Sequence, residues 1–133
     1  MNIVLDTNVL ISATIWHNSV AQKLLFALIS ADAKIYTSLD IISEYQKVLR
    51  SDFGYYDIEL AVITNKILKF ASAIKPAEGI NAVKEDKEDN KIIECSIASN
   101  AEIIATYDKH LLKLGNYQGI AIKTPEELLT QII

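Results

Sequence analysis

One cysteine, two prolines, four glycines and one tryptophan in 133 residues leave several routes closed. The lone thiol, Cys95, excludes an internal disulfide and agrees with a reducing, cytoplasmic setting. It falls within a helical pattern, where an inert packed thiol is a simpler reading than a nucleophile. The few glycines form no Rossmann or P-loop fingerprint, so nucleotide binding through a Gly-rich turn has no support. The two histidines, His17 and His110, are isolated and there is no H-E-x-x-H, so no zinc spacing exists. No apolar run approaches the ~20 residues that a membrane-spanning helix needs. Met1 to Leu5 carries no basic residue and Asp6 interrupts it, so the start reads as a strand and not as a secretion signal.

What is present is a core-forming composition. Half of the residues are hydrophobic, which excludes disorder as the default state. A chain of this length reads most simply as one domain over residues 1–133, able to bury about 68% of its unfolded surface. The net charge of −4 argues against a simple non-specific nucleic-acid binder. That objection weakens if several acids gather in one pocket and are neutralised by a cation. Twelve lysines and a single arginine, Arg50, then remain for phosphates.

Short apolar runs alternate with longer amphipathic segments, the pattern of an α/β fold with a mainly parallel sheet. A first strand is expected over residues 2–5, followed by a loop through Trp16 and His17. Val20, Ala21, Leu24, Leu25 and Leu28 then recur at helical spacing. A strand at 34–37 leads to Ser38, a cap for a helix carrying Ile41, Ile42, Tyr45, Val48 and Leu49. Asp57 can cap the next helix, with Leu60, Ile63, Ile67 and Phe70 on one face. A brief strand is expected near 73–75, a loop from Glu78 to Asp86, a helix from Glu88 to Ser99 and a strand at 102–106. Asp108 opens a helical turn through Leu114, and a last strand covers 120–123. Thr124, Pro125 and Glu127 spell a cap, a first-turn proline and a capping-box glutamate for a terminal helix.

Within this pattern two acids stand out. Asp6 follows the first strand directly and Asp108 follows the strand that ends near Tyr107. An acid at the carboxyl end of a buried strand is poor for packing and useful for holding a divalent cation. Ligands of open parallel sheets also gather at that edge, near the switch point of the strand order. The sequence does not show that the two strands are neighbours. Glu44 projects to the margin of its helix's apolar stripe, where a solvated side chain is the bland alternative. Asp89 projects onto the face of Ile92, Ile93 and Ser96, yet a helix N-terminal acid also suits the dipole. Thr7 and Asn8 can cap the turn after Asp6 or orient its carboxylate, and Thr106 can hold a nearby acid in place. Trp16 and His17 can stack on a base; a tryptophan covering the core edge is the plainer reading.

Together these segments resemble the PIN-domain nucleases, in particular the VapC-like toxins of type II toxin–antitoxin systems. The resemblance is carried by Ile3-Val4-Leu5-Asp6-Thr7-Asn8-Val9-Leu10, Ser38-Leu39-Asp40-Ile41-Ile42-Ser43-Glu44-Tyr45 and Asp86-Lys87-Glu88-Asp89-Asn90-Lys91. It continues through Ile104-Ala105-Thr106-Tyr107-Asp108-Lys109-His110-Leu111-Leu112 and the ending Thr124-Pro125-Glu126-Glu127-Leu128-Leu129. It implies a three-layer α/β/α fold around a twisted, mainly parallel sheet. It also implies that Asp6, Glu44, Asp89 and Asp108 are the catalytic, metal-holding acids, with Asn8 and Thr106 supporting them. Tyr107 stands where the family often has glycine and could narrow the pocket; His110 stands where an acid is frequent. The implied activity is hydrolysis of RNA phosphodiesters with Mg²⁺ or Mn²⁺, ions suited to oxygen-rich sites. Four clustered acids without a cation are expected to repel and to raise at least one pKa. The implied partners are a cognate antitoxin, whose tail enters the acid groove, and a second copy of the chain. Two rivals share the sheet class: a non-catalytic binding domain whose acids hold an ion or a basic partner, and a receiver-like phosphorylation switch. The second wants an acid pair after the first strand, where this chain has Asp6-Thr7-Asn8.

Overall fold

The first strand, β1 (Asn2–Leu5), is followed at once by a helix, α1 (Thr7–Ile15). A computed structural model of the chain describes residues 1–75 and 87–132, with side chains at all of these except 87–89. The chain continues as α2 (Val20–Ser30), β2 (Lys34–Ser38), α3 (Leu39–Phe53), α4 (Asp57–Phe70) and β3 (Ala71–Ile74). After residue 86 come α5 (Lys87–Ala98), β4 (Ile103–Ala105), α6 (Lys109–Leu114), β5 (Asn116–Tyr117), β6 (Ile120–Lys123) and α7 (Pro125–Ile132).

The six strands form one sheet in the order β3-β2-β1-β4-β6-β5. All pairings are parallel except that of β5 with β6. Ile3, Val4 and Leu5 are all buried although successive side chains point to opposite faces, so helices must cover the sheet on both sides. The result is a three-layer α/β/α arrangement: the alternating pattern predicts the α/β class with a mainly parallel sheet, and the family resemblance implies the three layers. From β1 the chain steps outward through β2 to β3, then returns to place β4 on the other side of β1. The β1–β4 seam is therefore the switch point, with Leu5 level with Ala105.

Local signals explain several boundaries. The Ser38 hydroxyl accepts from the Ile41 amide at 3.2 Å and starts α3. Thr124 and Glu127 form the reciprocal box that starts α7. Other expectations need correction. The loop expected after β1 is α1: its segment Thr7-Asn8-Val9-Leu10-Ile11-Ser12-Ala13-Thr14-Ile15 buries Thr7, Val9, Leu10, Ile11 and Ala13, so its polar face is reduced to Asn8 and Ser12. Asp57 is the first residue of α4 and not its cap, which is Tyr56, whose amide donates to Glu59 Oε1. The strand expected at 73–75 runs from Ala71 to Ile74, fixed by its pairing with Ile35 to Ser38. The two-residue β5 was not expected. It closes on β6 through Gln118 and Gly119, both at positive φ (50° and 87°), the geometry of a tight hairpin turn. The loop expected over Glu78–Asp86 lies outside the described residues.

Candidate active site

At the end of β1 the backbone passes from ladder to helix without a spare residue. The Asp6 amide still pairs with the Ala105 carbonyl at 2.9 Å, while its side chain caps α1 by accepting from the Thr7 amide at 2.7 Å. Oδ1 is thereby occupied. Oδ2 accepts from the Thr106 hydroxyl at 2.6 Å across the β1–β4 seam. The same hydroxyl oxygen accepts from the Asp108 amide at 2.9 Å. Asp108 in turn caps α6, its Oδ1 accepting from the amides of His110 and Leu111 at 2.8 and 3.2 Å. From the other side, the Thr7 hydroxyl donates to Glu44 Oε2 on α3 at 3.1 Å. One hydrogen-bonded chain thus runs Glu44, Thr7, Asp6, Thr106, Asp108, built from segments far apart in sequence.

Burial makes Asp6 the electrostatic centre. Only 6% of it is exposed, and its carboxyl pKa is pushed up from 3.8 to about 6. Desolvation is the largest cause. The hydrogen bonds from Thr106 and Thr7 pull the other way, and the charges of Glu44 and Asp108 add to the rise. An elevated acid pKa was the expectation for clustered carboxylates; the main reason is burial, with mutual repulsion second.

Asp89 belongs to the first turn of α5, and its side chain lies outside the described residues. Its helix packs against β1, β2, β4 and α3. Because α5 ends just before β4 begins, at the amino edge of the sheet, its first turn lies toward the carboxyl rim. Asn8 is exposed in the first turn of α1; Thr7 makes the contact with Glu44. In the sequence Thr7 stands next to Asp6, and nothing local signals a contact that spans 37 residues. Tyr107 is 40% exposed and bonded to Glu126 of α7; partial burial first, and Glu126 second, push its phenol up to about 12. Trp16 sits at the far end of α1, about 15 Å along the helix from Asp6, edge-on to Phe53 with centroids 6.1 Å apart. Cys95 is buried, its thiol pushed up to about 12 by desolvation.

Among the described residues no three His, Cys, Asp or Glu side chains form a cage for an ion by themselves. The donor set is nevertheless oxygen-only, and an excess of negative charge around a buried carboxylate is what a hard cation relieves. Asp108 Oδ2, unlike Oδ1, makes no hydrogen bond among the described residues. The chemistry of the residues present fits a divalent ion.

Residues 2–110 match the family model of the PIN domain. The chain belongs to the PIN-domain family. This PIN domain is 30% identical over 144 residues to uncharacterized protein MJ1680 of Methanocaldococcus jannaschii, a match covering 98% of this chain and 91% of the relative. Its fold is similar to that of a chain in the crystal structure of VapBC2 from Rickettsia felis bound to a DNA fragment from their promoter. The TM-score is 0.66 at 18% identity, over 93% of this chain and 98% of the other. In this PIN domain, Asp6, Glu44 and Asp108 are joined through two threonines at the carboxyl rim of the sheet.

Proposed function

We propose that this PIN domain, spanning residues 1–133, is a Mg²⁺- or Mn²⁺-dependent endoribonuclease and the toxin of a toxin–antitoxin pair acting in the cytoplasm. The observation that carries the reading is Asp6: a buried carboxyl at the strand-order switch point, hydrogen-bonded to the threonine that also receives the Asp108 amide. A core-facing acid without a cationic partner is costly, and the α1 cap it makes is one that an uncharged serine, threonine or asparagine also makes.

Asp6, Glu44, Asp89 and Asp108 would hold the divalent cation, with Thr7 and Thr106 fixing the carboxylates and Asn8 at the rim. Bound there, the ion supplies charge neutralisation at the phosphate and a lowered pKa for water. The protein's own contribution is orientation. Thr106 ties Asp6 to the Asp108 backbone, and Thr7 ties Glu44 to the start of α1, so the carboxylates meet a phosphodiester without rearranging. Among the described residues no helix is long and apolar enough to cross a membrane.

Membership of the PIN family supports a hydrolase, and the similarity to a VapBC2 chain supports a protein antitoxin as partner. A second copy of the chain is the other expected partner, and light scattering during gel filtration tests it. RNA cleavage with Mg²⁺ or Mn²⁺ tests the activity, wild type against Asp6→Asn and Asp108→Asn. Cleavage is expected to drop at least a hundredfold in both variants; undiminished cleavage in both removes the reading.

A further inference from the structure

Beside Glu44 the surface opens into a groove of about 420 Å³ between α3 and α5. One wall is a single face of α3, where Asp40, Ser43, Glu44, Lys47 and Ser51 recur at helical spacing; the other takes Lys91 of α5. The volume lies within the range of small-ligand sites, but the lining is polar, with Val48 its one apolar side chain. Such a wall suits a sugar–phosphate backbone better than a base.

The charges are ordered. Glu44 belongs both to the acid chain and to the groove, so the groove begins where the acids end. Its two lysines lie in one concavity. Lys47 is exposed and makes no ion pair among the described residues, although Glu44 stands one helical turn away. Glu44 Oε2 instead accepts from the Thr7 hydroxyl on α1. Asp40 has its own explanation as a first-turn acid of α3. A polyanion approaching three acids on a chain of net charge −4 is repelled unless cations stand within reach of the same path.

We infer that this groove is a phosphate subsite for single-stranded RNA, in which Lys47 and Lys91 hold the phosphodiester adjoining the one cleaved beside Glu44. The subsite rests on the nuclease reading above and adds to it the path of the substrate. Ser43 adds a hydroxyl along that path, while the Ser51 hydroxyl donates to Asp52 Oδ1 at 3.0 Å.

The test measures binding separately from cleavage. A fluorescent single-stranded RNA is titrated with the Asp6→Asn protein at several salt concentrations, alone and combined with Lys47→Ala, Lys91→Ala or both. Lys34→Ala, at the amino edge of the sheet, serves as control. Each groove substitution is expected to reduce the salt slope by about 0.7, and the pair by about 1.4. The double variant is expected to bind about tenfold more weakly at low salt, and the control like its parent. A double variant with unchanged slope and affinity overturns the subsite; if the wild type still cleaves RNA, the nuclease reading survives that result. Equal losses from Lys34→Ala overturn it as well, because the effect is then general charge. A wild type that neither binds nor cleaves RNA overturns both.

Discussion

The Thr106 hydroxyl donates to Asp6 Oδ2 at 2.6 Å, joining residues one hundred positions apart across the β1–β4 seam. Since its oxygen also accepts from the Asp108 amide, one side chain sets the position of two acids. Thr106→Val keeps the shape and removes both bonds. Loss of such a supporting contact typically costs 10- to 100-fold in metal affinity or activity. The expected outcome is an RNA cleavage rate about 10- to 100-fold lower, a melting temperature lowered by several degrees because the buried Asp6 Oδ2 loses its donor, and recovery of both in Thr106→Ser. Full activity in the valine variant would show that the hydroxyl is only a packing accident.

Asp6 gives a stability prediction with a definite sign. Its pKa is about 6 in the fold against an ordinary 3.8, so the folded state resists ionisation. Well below its ordinary value of 3.8 the group is protonated in both states and contributes nothing. As pH rises through 6 the fold carries the full penalty, roughly 3 kcal/mol for two pKa units. With EDTA present, Asp6→Asn is therefore expected to melt several degrees higher than wild type at pH 7.5, and the gap to close by pH 3.5. Adding Mg²⁺ is expected to stabilise the wild type more at pH 7.5 than at pH 5, where protons compete for the carboxylate. Thermal denaturation of the two proteins across pH, with and without Mg²⁺, decides it. An asparagine variant less stable than wild type at every pH in EDTA refutes the burial argument.

Asp6 was also the most legible residue in the sequence, because a charge directly after an apolar strand contradicts packing. Caps were legible for the same local reason: Ser38 and the Thr124–Glu127 box act within three residues. Helix α1 was hidden because its more open side is short and mixed, Asn8, Ser12 and the apolar Ile15, so the 3.6-residue period shows little polar contrast. Adjacency of β1 and β4 was hidden because it depends on where the chain returns after β3, a long-range choice that no local pattern encodes. The Thr7–Glu44 bond was hidden likewise: Glu44 reads as a stripe-edge glutamate until α1 is known to lie against α3.

That bond carries its own prediction. Thr7 is buried and its hydroxyl is the donor that holds Glu44 Oε2 at 3.1 Å. Thr7→Val is expected to lower cleavage about tenfold, and Thr7→Ser to restore it. Combined with Glu44→Gln, the losses are expected to be less than additive, because both substitutions act through one contact. A double-mutant cycle on the cleavage rate measures this. Strict additivity would separate Thr7 from Glu44.

Asp108 has two duties that substitutions can separate. Oδ1 caps α6 through the amides of His110 and Leu111, and the second oxygen is left for the site. Asparagine caps helices about as well as aspartate does, whereas alanine costs about 1 kcal/mol at such a position. Asp108→Asn is therefore expected to keep wild-type stability, within about 0.5 kcal/mol, while losing cleavage. Asp108→Ala is expected to lose cleavage and about 1 kcal/mol of stability as well. Urea denaturation of the two variants at pH 7.5 in EDTA is the measurement. Equal stabilities would mean that α6 forms without this cap and that Asp108 stands at the rim for its charge alone.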